Sequence, residues 1–173
     1  MDSQNDYNNI PNPPEEVKAN TILIRMIDGL IFRFKWATEG LFEEDLSFRP
    51  CESSMNMMEL LNHIHQLTNM IHSTFERHPY QGLTKLDSLD VLRSNIMGKL
   101  IASRNILENL TEEDLIDLKI SSTKYPDGYP FWNLINGPIA DALTHIGQIT
   151  SWRRINGNPI KKVNVFLGRG PKS

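Results

Sequence analysis

Residues 131–159 of the chain read FWNLINGPIADALTHIGQITSWRRINGNP. Apolar residues recur in this stretch at spacings of three and four, which is typical of an amphipathic helix; they are Ile135, Ile139, Leu143, Ile146 and Ile149. Asp141 and His145 are four residues apart, so their side chains project from one helix face a single turn apart. The stretch therefore predicts a helix with a carboxylate–imidazole pair that can hold one cation.

The start of this helix has two interpretations because of Pro138. Either the helix begins at residues 136–138, with the proline in its first turn, or it begins near Phe131 and kinks at the proline. Its predicted end lies before Gly157. We expect Arg153 and Arg154 to form a solvated or salt-bridged helix end.

Three further amphipathic helices are predicted upstream. The first spans about residues 15–40. The second begins at Asn56, which forms a capping box with Glu59, and ends by His78 and Pro79. The third has Asp87 as its expected N-cap. The apolar stripes of the three helices are built from Leu23, Ile27, Leu30, Ile31 and Phe34; from Leu60, Ile64, Leu67 and Ile71; and from Leu92, Ile96, Leu100 and Leu107.

Four long amphipathic helices without a strand pattern predict an all-α fold, an up-down four-helix bundle. Residues 116–130 are expected to form a long loop, and Tyr125, Tyr129 and Phe131 to fold over one end of the bundle. We expect a flexible N-terminal arm over residues 1–16, the bundle over 17–159 and a mostly irregular C-terminal tail over 160–173.

Length, composition and charge limit the kinds of function that are expected of the chain. At 173 residues with 39% hydrophobic and 23% charged residues, the chain is typical of one globular domain. A net charge of -3 gives no reason to expect a nucleic acid or a membrane as partner. Neither a membrane-spanning run nor a signal peptide is recognisable, so a cytoplasmic location is the default expectation. The single cysteine, Cys51, excludes an internal disulfide and is expected to be a small buried residue rather than a nucleophile.

Helical geometry places several polar side chains beside the core. At about 100° per residue, Asp141, His145, Gln148 and Trp152 share one flank of their helix, and helical bundles build interior sites from such flanks. A histidine in this position is also common as a hydrogen-bonded structural residue. Spacing alone therefore supports both a metal site and a purely structural pair.

The second helix offers two candidate histidines to complete the site. His63 and His65 lie on opposite flanks of a stripe centred on Ile64, each about 100° away from it. Geometry does not choose between them. We expect His65, His72 and His78 to be surface residues.

Two segments resemble a known family. Residues 59–64, ELLNHI, resemble the motif E-L-L-x-H-[IL] of the DinB-like (YfiT-like) superfamily of metal-dependent four-helix-bundle proteins. Residues 141–149, DALTHIGQI, resemble its later motif H-x-x-x-H-[RI]-G-Q-[IL], and the ending around residues 153–159 is also similar. The resemblance covers roughly residues 20–160.

The resemblance implies a divalent metal held between the second and fourth helices. The ligand positions of the family correspond to His63, Asp141 and His145, which favours His63 over His65. The chain departs from the family at residue 141, where an aspartate replaces the usual histidine. Two imidazoles and a carboxylate suit zinc, nickel, iron or manganese. Gln148 and Trp152 are expected to lie beside the ligands.

Characterised members of this superfamily include thiol-dependent transferases and isomerases, and hydrolase activity has also been proposed. The resemblance thus implies a metal-dependent enzyme, either an S-transferase that uses a low-molecular-weight thiol or a hydrolase. A small-molecule substrate and a homodimer are further implied. The alternative is a non-catalytic dimeric helical-bundle protein that binds a metal or a small ligand structurally.

Overall fold

The computed structural model describes residues 6–172, and these residues are mainly helical. Four long helices are joined by shorter elements. In chain order the elements are α1 (Ala19–Thr38), a 3-10 turn (Glu43–Asp45), α2 (Met57–Phe75), α3 (Leu89–Leu107), α4 (Glu112–Ile116), β1 (Lys119–Ile120), β2 (Tyr129–Pro130), α5 (Trp132–Leu134), a π-helical segment (Ile135–Ile139) and α6 (Ala140–Ile155).

The long helices pack in pairs around one hydrophobic core. Both α1 and α2 pack against α3 and also against α6. The predicted apolar stripes supply this core; its fully buried members include Ile27, Leu30, Leu60, Ile64, Leu92, Ile96 and Ile149. The helical class is thus confirmed, while the up-down bundle topology stays a prediction. Because α6 contacts both α1 and α2, its two flanks face different neighbours.

Local hydrogen bonds explain where the second and third helices begin. The Asn56 Oδ1 atom accepts from the Glu59 backbone N–H at 2.9 Å, and the Glu59 carboxylate accepts from the Asn56 N–H at 2.8 Å. This is the predicted capping box. The predicted cap at Asp87 is wrong, because Ser88 is the N-cap of α3 and its hydroxyl accepts from the Val91 N–H.

The prediction of one long loop over residues 116–130 needs correction. Helix α4 continues to Ile116, and its Thr111 N-cap accepts from the Asp114 N–H at 3.1 Å. A small antiparallel hairpin follows, in which Lys119 pairs with Pro130 and Ile120 with Tyr129. Strands of two residues are too short to show the alternation by which a strand is recognised in a sequence.

The chain is already helical before Pro138, as the second interpretation predicted. Helical conformation begins at Trp132 and is interrupted at Gly137, whose φ of -94° and ψ of -107° are not helical. Regular α-helix resumes at Ala140, so Asp141 lies in the first turn of α6. The kink brings this turn against α2.

Arg153 does not form the solvated helix end that was expected. Its side chain is 2% exposed and donates hydrogen bonds to the carbonyl oxygens of Ala37 and Glu39, both at 2.8 Å, and of Gly40 at 2.9 Å. The Ala37 carbonyl belongs to the last turn of α1, where carbonyls have no partner within the helix; the Glu39 and Gly40 carbonyls follow it, and that of Gly40 also accepts from the Asn158 side-chain amide at 2.9 Å. Arg154, by contrast, is exposed. Arg153 therefore joins the C-terminal ends of α1 and α6.

Both termini contact the first helix or each other. Tyr7 is buried and donates to the Asp28 carboxylate at 2.8 Å, and the Ile10 N–H donates to the Gly168 carbonyl at 2.9 Å. Residues 1–5 of the predicted arm and residue 173 of the predicted tail lie outside the described residues, and the division at residues 16 and 159 stays a prediction. None of the helices in residues 6–172 has the length and apolar character needed to cross a membrane.

Candidate metal centre

Three side chains meet where α2 packs against the start of α6. Asp141 places one carboxylate oxygen 3.3 Å from His63 Nε2 and the other 3.3 Å from His145 Nε2. The two imidazole rings are 4.7 Å apart between centroids and nearly perpendicular, at 84°. One ligand atom from each residue lies within 4.8 Å of the others. We call this group the His–Asp–His cluster.

Gln148 fixes the orientation of His145 within the cluster. The Gln148 Oε1 atom lies 2.7 Å from His145 Nδ1. Because an amide oxygen only accepts, the proton of this imidazole resides on Nδ1 and its Nε2 lone pair faces Asp141. Second-neighbour hydrogen bonds of this kind hold metal-binding histidines in the required tautomer. Sequence reasoning expected Gln148 beside the site but did not identify it as the partner of His145.

The cluster is accessible from two sides. The side chain of His145 is only 13% exposed, whereas those of His63 and Asp141 are 38% and 44% exposed. His63 lines a cleft of about 570 Å³, and Arg49 and Lys85 also line it. A small molecule can therefore approach the two outer members of the cluster.

A second opening leads from Asp141 towards the hairpin. Asp141 lines a cleft of about 420 Å³. Met70 and Pro138 line both this cleft and a neighbouring apolar one of about 390 Å³, which Tyr125 and Tyr129 border. The tyrosine rings lie 6.0 Å apart. The predicted cover of aromatic residues thus borders a cleft adjacent to that of Asp141.

Two of the other histidines are not the surface residues that the sequence predicted. His65 is not a surface residue: it is 4% exposed, and within residues 6–172 neither of its ring nitrogens has a hydrogen-bond partner. Burial and the nearby Lys99 ammonium lower the pKa of His65. His72 is largely buried beside Ser103, whose hydroxyl is 3.3 Å from its Nδ1. Only His78 is exposed as predicted.

Two further predictions concern Trp152 and Cys51. Trp152 is a core residue, 8% exposed, and lies about 10 Å along α6 from His145, given a rise of about 1.5 Å per residue. Its place beside the ligands stays a prediction. Cys51 is exposed rather than buried, because it belongs to a turn in which Ser54 donates to its carbonyl at 2.8 Å.

The cluster fits the donor set that a divalent cation requires. With metal–ligand bonds of about 2.0–2.1 Å, tetrahedral ligands lie about 3.4 Å from one another. Each carboxylate oxygen of Asp141 lies 3.3 Å from one imidazole, and one ligand atom of each residue lies within 4.8 Å of the others, so the three side chains have to move closer together to reach this spacing around an ion. Three protein ligands leave at least one coordination position for another molecule. Residues 6–172 thus contain a His–Asp–His group that can hold a metal ion.

Comparisons with known proteins add no family to this description. No protein-family model matches the chain, and no characterised protein matches it. The resemblance of residues 59–64 and 141–149 to the DinB-like superfamily is therefore not confirmed by a match. The sequence and structure together describe a mainly helical protein with a candidate His–Asp–His metal centre.

Proposed function

We propose that the protein is a divalent-metal-dependent enzyme of the DinB-like type that acts on a small molecule. The observation that carries this proposal is the convergence of His63, Asp141 and His145, with one ligand atom of each within 4.8 Å of the others. His63 lies on α2, and Asp141 and His145 lie on α6. His63 and Asp141 are 78 residues apart in sequence. The resemblance selected the same three positions from the sequence.

The proposed ligand set is His63 Nε2, His145 Nε2 and the Asp141 carboxylate. A divalent cation bound there supplies Lewis-acid activation of a thiol or a water molecule. Gln148 accepts a hydrogen bond from His145 Nδ1, which leaves Nε2 without a proton and able to bind the cation. The carboxylate makes the site harder than three imidazoles would, which widens the choice among zinc, nickel, iron and manganese.

The surroundings of the cluster favour a small-molecule substrate with an apolar part. The cleft at Asp141 adjoins the apolar cleft bordered by Tyr125 and Tyr129, and apolar walls with few polar groups are typical of ligand sites. On the His63 side, Arg49 and Lys85 are balanced by Glu52 and Glu59, and Arg49 lies 3.6 Å from the Glu59 carboxylate, so this cleft does not select a charged co-substrate. The resemblance to the DinB-like superfamily supports an S-transferase, with hydrolysis as the other reaction that the same ligand set can serve.

Metal analysis of the purified protein tests this proposal. Protein expressed in metal-supplemented medium should contain about one divalent ion per chain, and chelation should lower its melting temperature. His63→Ala and His145→Ala should each lose the ion, whereas the control His65→Ala should keep it. Absence of stoichiometric metal, with melting unchanged on chelation, would contradict the proposal.

Cobalt-substituted protein separates the two reaction classes. A thiol that binds the ion produces sulfur-to-cobalt charge-transfer absorption, so titration with a low-molecular-weight thiol should produce this band if the enzyme is an S-transferase. Without the band, but with stoichiometric metal, hydrolysis is favoured. The proposed homodimer and bundle of DinB-like type are tested by sedimentation and by an experimental structure.

One observation favours the non-catalytic alternative. Asp141 Oδ2 lies 3.3 Å from His63 Nε2, a separation that a ring N–H and a carboxylate can bridge without a cation. In this alternative the cluster joins α2 to α6 in a structural, dimeric helical protein. Replacement of Asp141 by Asn in metal-free protein tests this role: the melting temperature should fall if the carboxylate joins the two helices by itself, and should stay nearly unchanged if Asp141 serves only as a metal ligand.

A further inference from the structure

A second candidate site lies on the other side of α6. A groove of about 600 Å³ runs between α1 and α6 and is bordered by residues of the C-terminal tail. Gly147 lines this groove and follows His145 by two residues, which places the two positions about 200° apart around the helix. We call it the α1–α6 groove. It is separate from the His–Asp–His cluster, so its role does not depend on the proposed function.

Two arginines line the groove, and in residues 6–172 neither is directly paired with a carboxylate. Arg25 and Arg33 are both half-buried, and each uses one N–H on a backbone oxygen: Arg25 on Pro11 at 2.8 Å and Arg33 on Gly29 at 3.3 Å. Within residues 6–172 neither forms an ion pair with a carboxylate. A guanidinium carries five N–H donors, so both retain donors for a ligand.

The nearby carboxylate of Asp28 does not form an ion pair with either arginine. It is 2% exposed and accepts from the Tyr7 hydroxyl at 2.8 Å, while the Arg104 guanidinium lies 3.4 Å away. Burying positive charge is costly unless a negative group compensates it. Arg25 therefore interacts with Asp28 only through longer-range electrostatic attraction, and within residues 6–172 both arginines present guanidinium groups to the groove without an ion-paired carboxylate.

The remaining walls of the groove are mostly apolar. Met26 and Trp36 come from α1, Leu143 and Ile146 from α6, and Val163 from the tail. A volume of about 600 Å³ falls within the range of small-molecule sites, about 300–1,000 Å³. Apolar walls with two cationic donors are complementary to a ligand that has a hydrophobic body and an anionic group.

We propose that the α1–α6 groove binds a small amphipathic organic anion. Its carboxylate, sulfonate or phosphate group is held by Arg25 and Arg33, because guanidinium groups match these anions with paired N–H donors. Its hydrophobic body packs against Trp36 and Ile146 under the tail. This function is separate from catalysis at the His–Asp–His cluster.

Fluorescence titration with anilinonaphthalene sulfonate tests the proposal. This probe combines an aromatic body with one negative charge, and its emission rises in apolar surroundings. The wild-type protein should bind about one probe per chain. Arg25→Gln and Arg33→Gln should each weaken binding by about 10- to 100-fold, as expected for loss of one charged hydrogen-bonding partner.

Two controls distinguish binding of the probe through the arginines from nonspecific hydrophobic binding. Arg154→Gln makes the same charge change at an exposed position of α6 outside the groove, and should leave probe affinity unchanged. Phenylnaphthylamine, a neutral analogue, should be insensitive to both groove substitutions. Equal affinity of the sulfonate probe for wild type, Arg25→Gln and Arg33→Gln would overturn the proposal, as would equal weakening of the neutral analogue.

A steric variant provides an independent test that does not remove charge. A Cβ atom at Gly147 would meet nothing within 4 Å, and the position is exposed on a helix, so Gly147→Leu should fold and gain helix propensity. Its side chain should fill the groove and exclude the probe. Undiminished probe binding by folded Gly147→Leu would place the probe elsewhere. If sedimentation shows a wild-type dimer and these substitutions produce monomers, the groove is an interface between copies and the proposal is wrong.

Discussion

Replacing the buried His65 with Leu should stabilise the protein. The wild-type imidazole is 4% exposed, and within residues 6–172 both of its nitrogens lack hydrogen-bond partners. An unsatisfied buried polar group costs about 1–3 kcal/mol, and leucine is similar in size to histidine without a polar atom. We expect His65→Leu to raise the free energy of unfolding by about 1–3 kcal/mol.

The same substitution should change the pH dependence of stability. Burial, with the Lys99 charge, lowers the pKa of His65 in the folded protein. The unfolded chain then binds more protons than the folded one, so wild-type stability should fall as the pH drops through about 6.5, the ordinary histidine pKa. His65→Leu should remove this part of the pH dependence.

Thermal and urea unfolding of metal-free protein measure both effects. At about 2–4 °C per kcal/mol for a chain of this size, a gain of about 1–3 kcal/mol should raise the melting temperature by about 2–12 °C. His65→Gln, which keeps polar atoms at this position, is the matched control and should give no comparable gain. A loss of stability of more than about 1 kcal/mol in His65→Leu would show that the imidazole has a stabilising partner, and the reasoning would then fail.

Three other substitutions test the remaining contacts. Arg153→Met should destabilise the protein by about 1–3 kcal/mol in urea unfolding, because it removes the side-chain donor to the buried Ala37 carbonyl and to that of Glu39. Burial alone would raise the pKa of Asp45, but hydrogen bonds from Asn158, Asn156 and the Phe42 N–H outweigh it and lower that pKa. The free energy of unfolding of the wild type should therefore fall as the pH drops below about 4. Asp45→Asn should weaken this acid dependence. Gln148→Leu should reduce zinc affinity about 10- to 100-fold without altering the far-UV circular dichroism, because it removes the acceptor of the His145 Nδ1 proton.

Local sequence signals predicted the main elements and part of the site. The stripes of α1 and α2, the Asn56–Glu59 capping box and the one-turn spacing of Asp141 and His145 all depend on residues within two turns of each other. Such short-range geometry is determined by the helix itself. The same geometry could not choose between His63 and His65, because that choice depends on how α2 is rotated against α6.

Long-range contacts account for what the sequence did not reveal. Arg153 is buried because it meets the carbonyls of Ala37 and Glu39, 116 and 114 residues earlier in the chain. The hydrogen bond between Gln148 and His145 is different, because it spans only one turn. A spacing of three residues on a helix could have identified this pair from the sequence. The non-helical geometry of Gly137 follows from the sequence, because the residue before a proline is disfavoured in the helical region; the packing of the next turn against α2 does not.

Calorimetric titration of metal-free protein with zinc tests the central claim most directly. The account predicts one site per chain in the wild type and in His65→Ala, and loss of that site in His63→Ala and in His145→Ala, all four proteins being folded by circular dichroism. Loss of the site in His65→Ala together with its retention in His63→Ala would contradict the assignment of the ligands. A wild-type protein that binds no zinc, nickel, iron or manganese would contradict the metal centre itself.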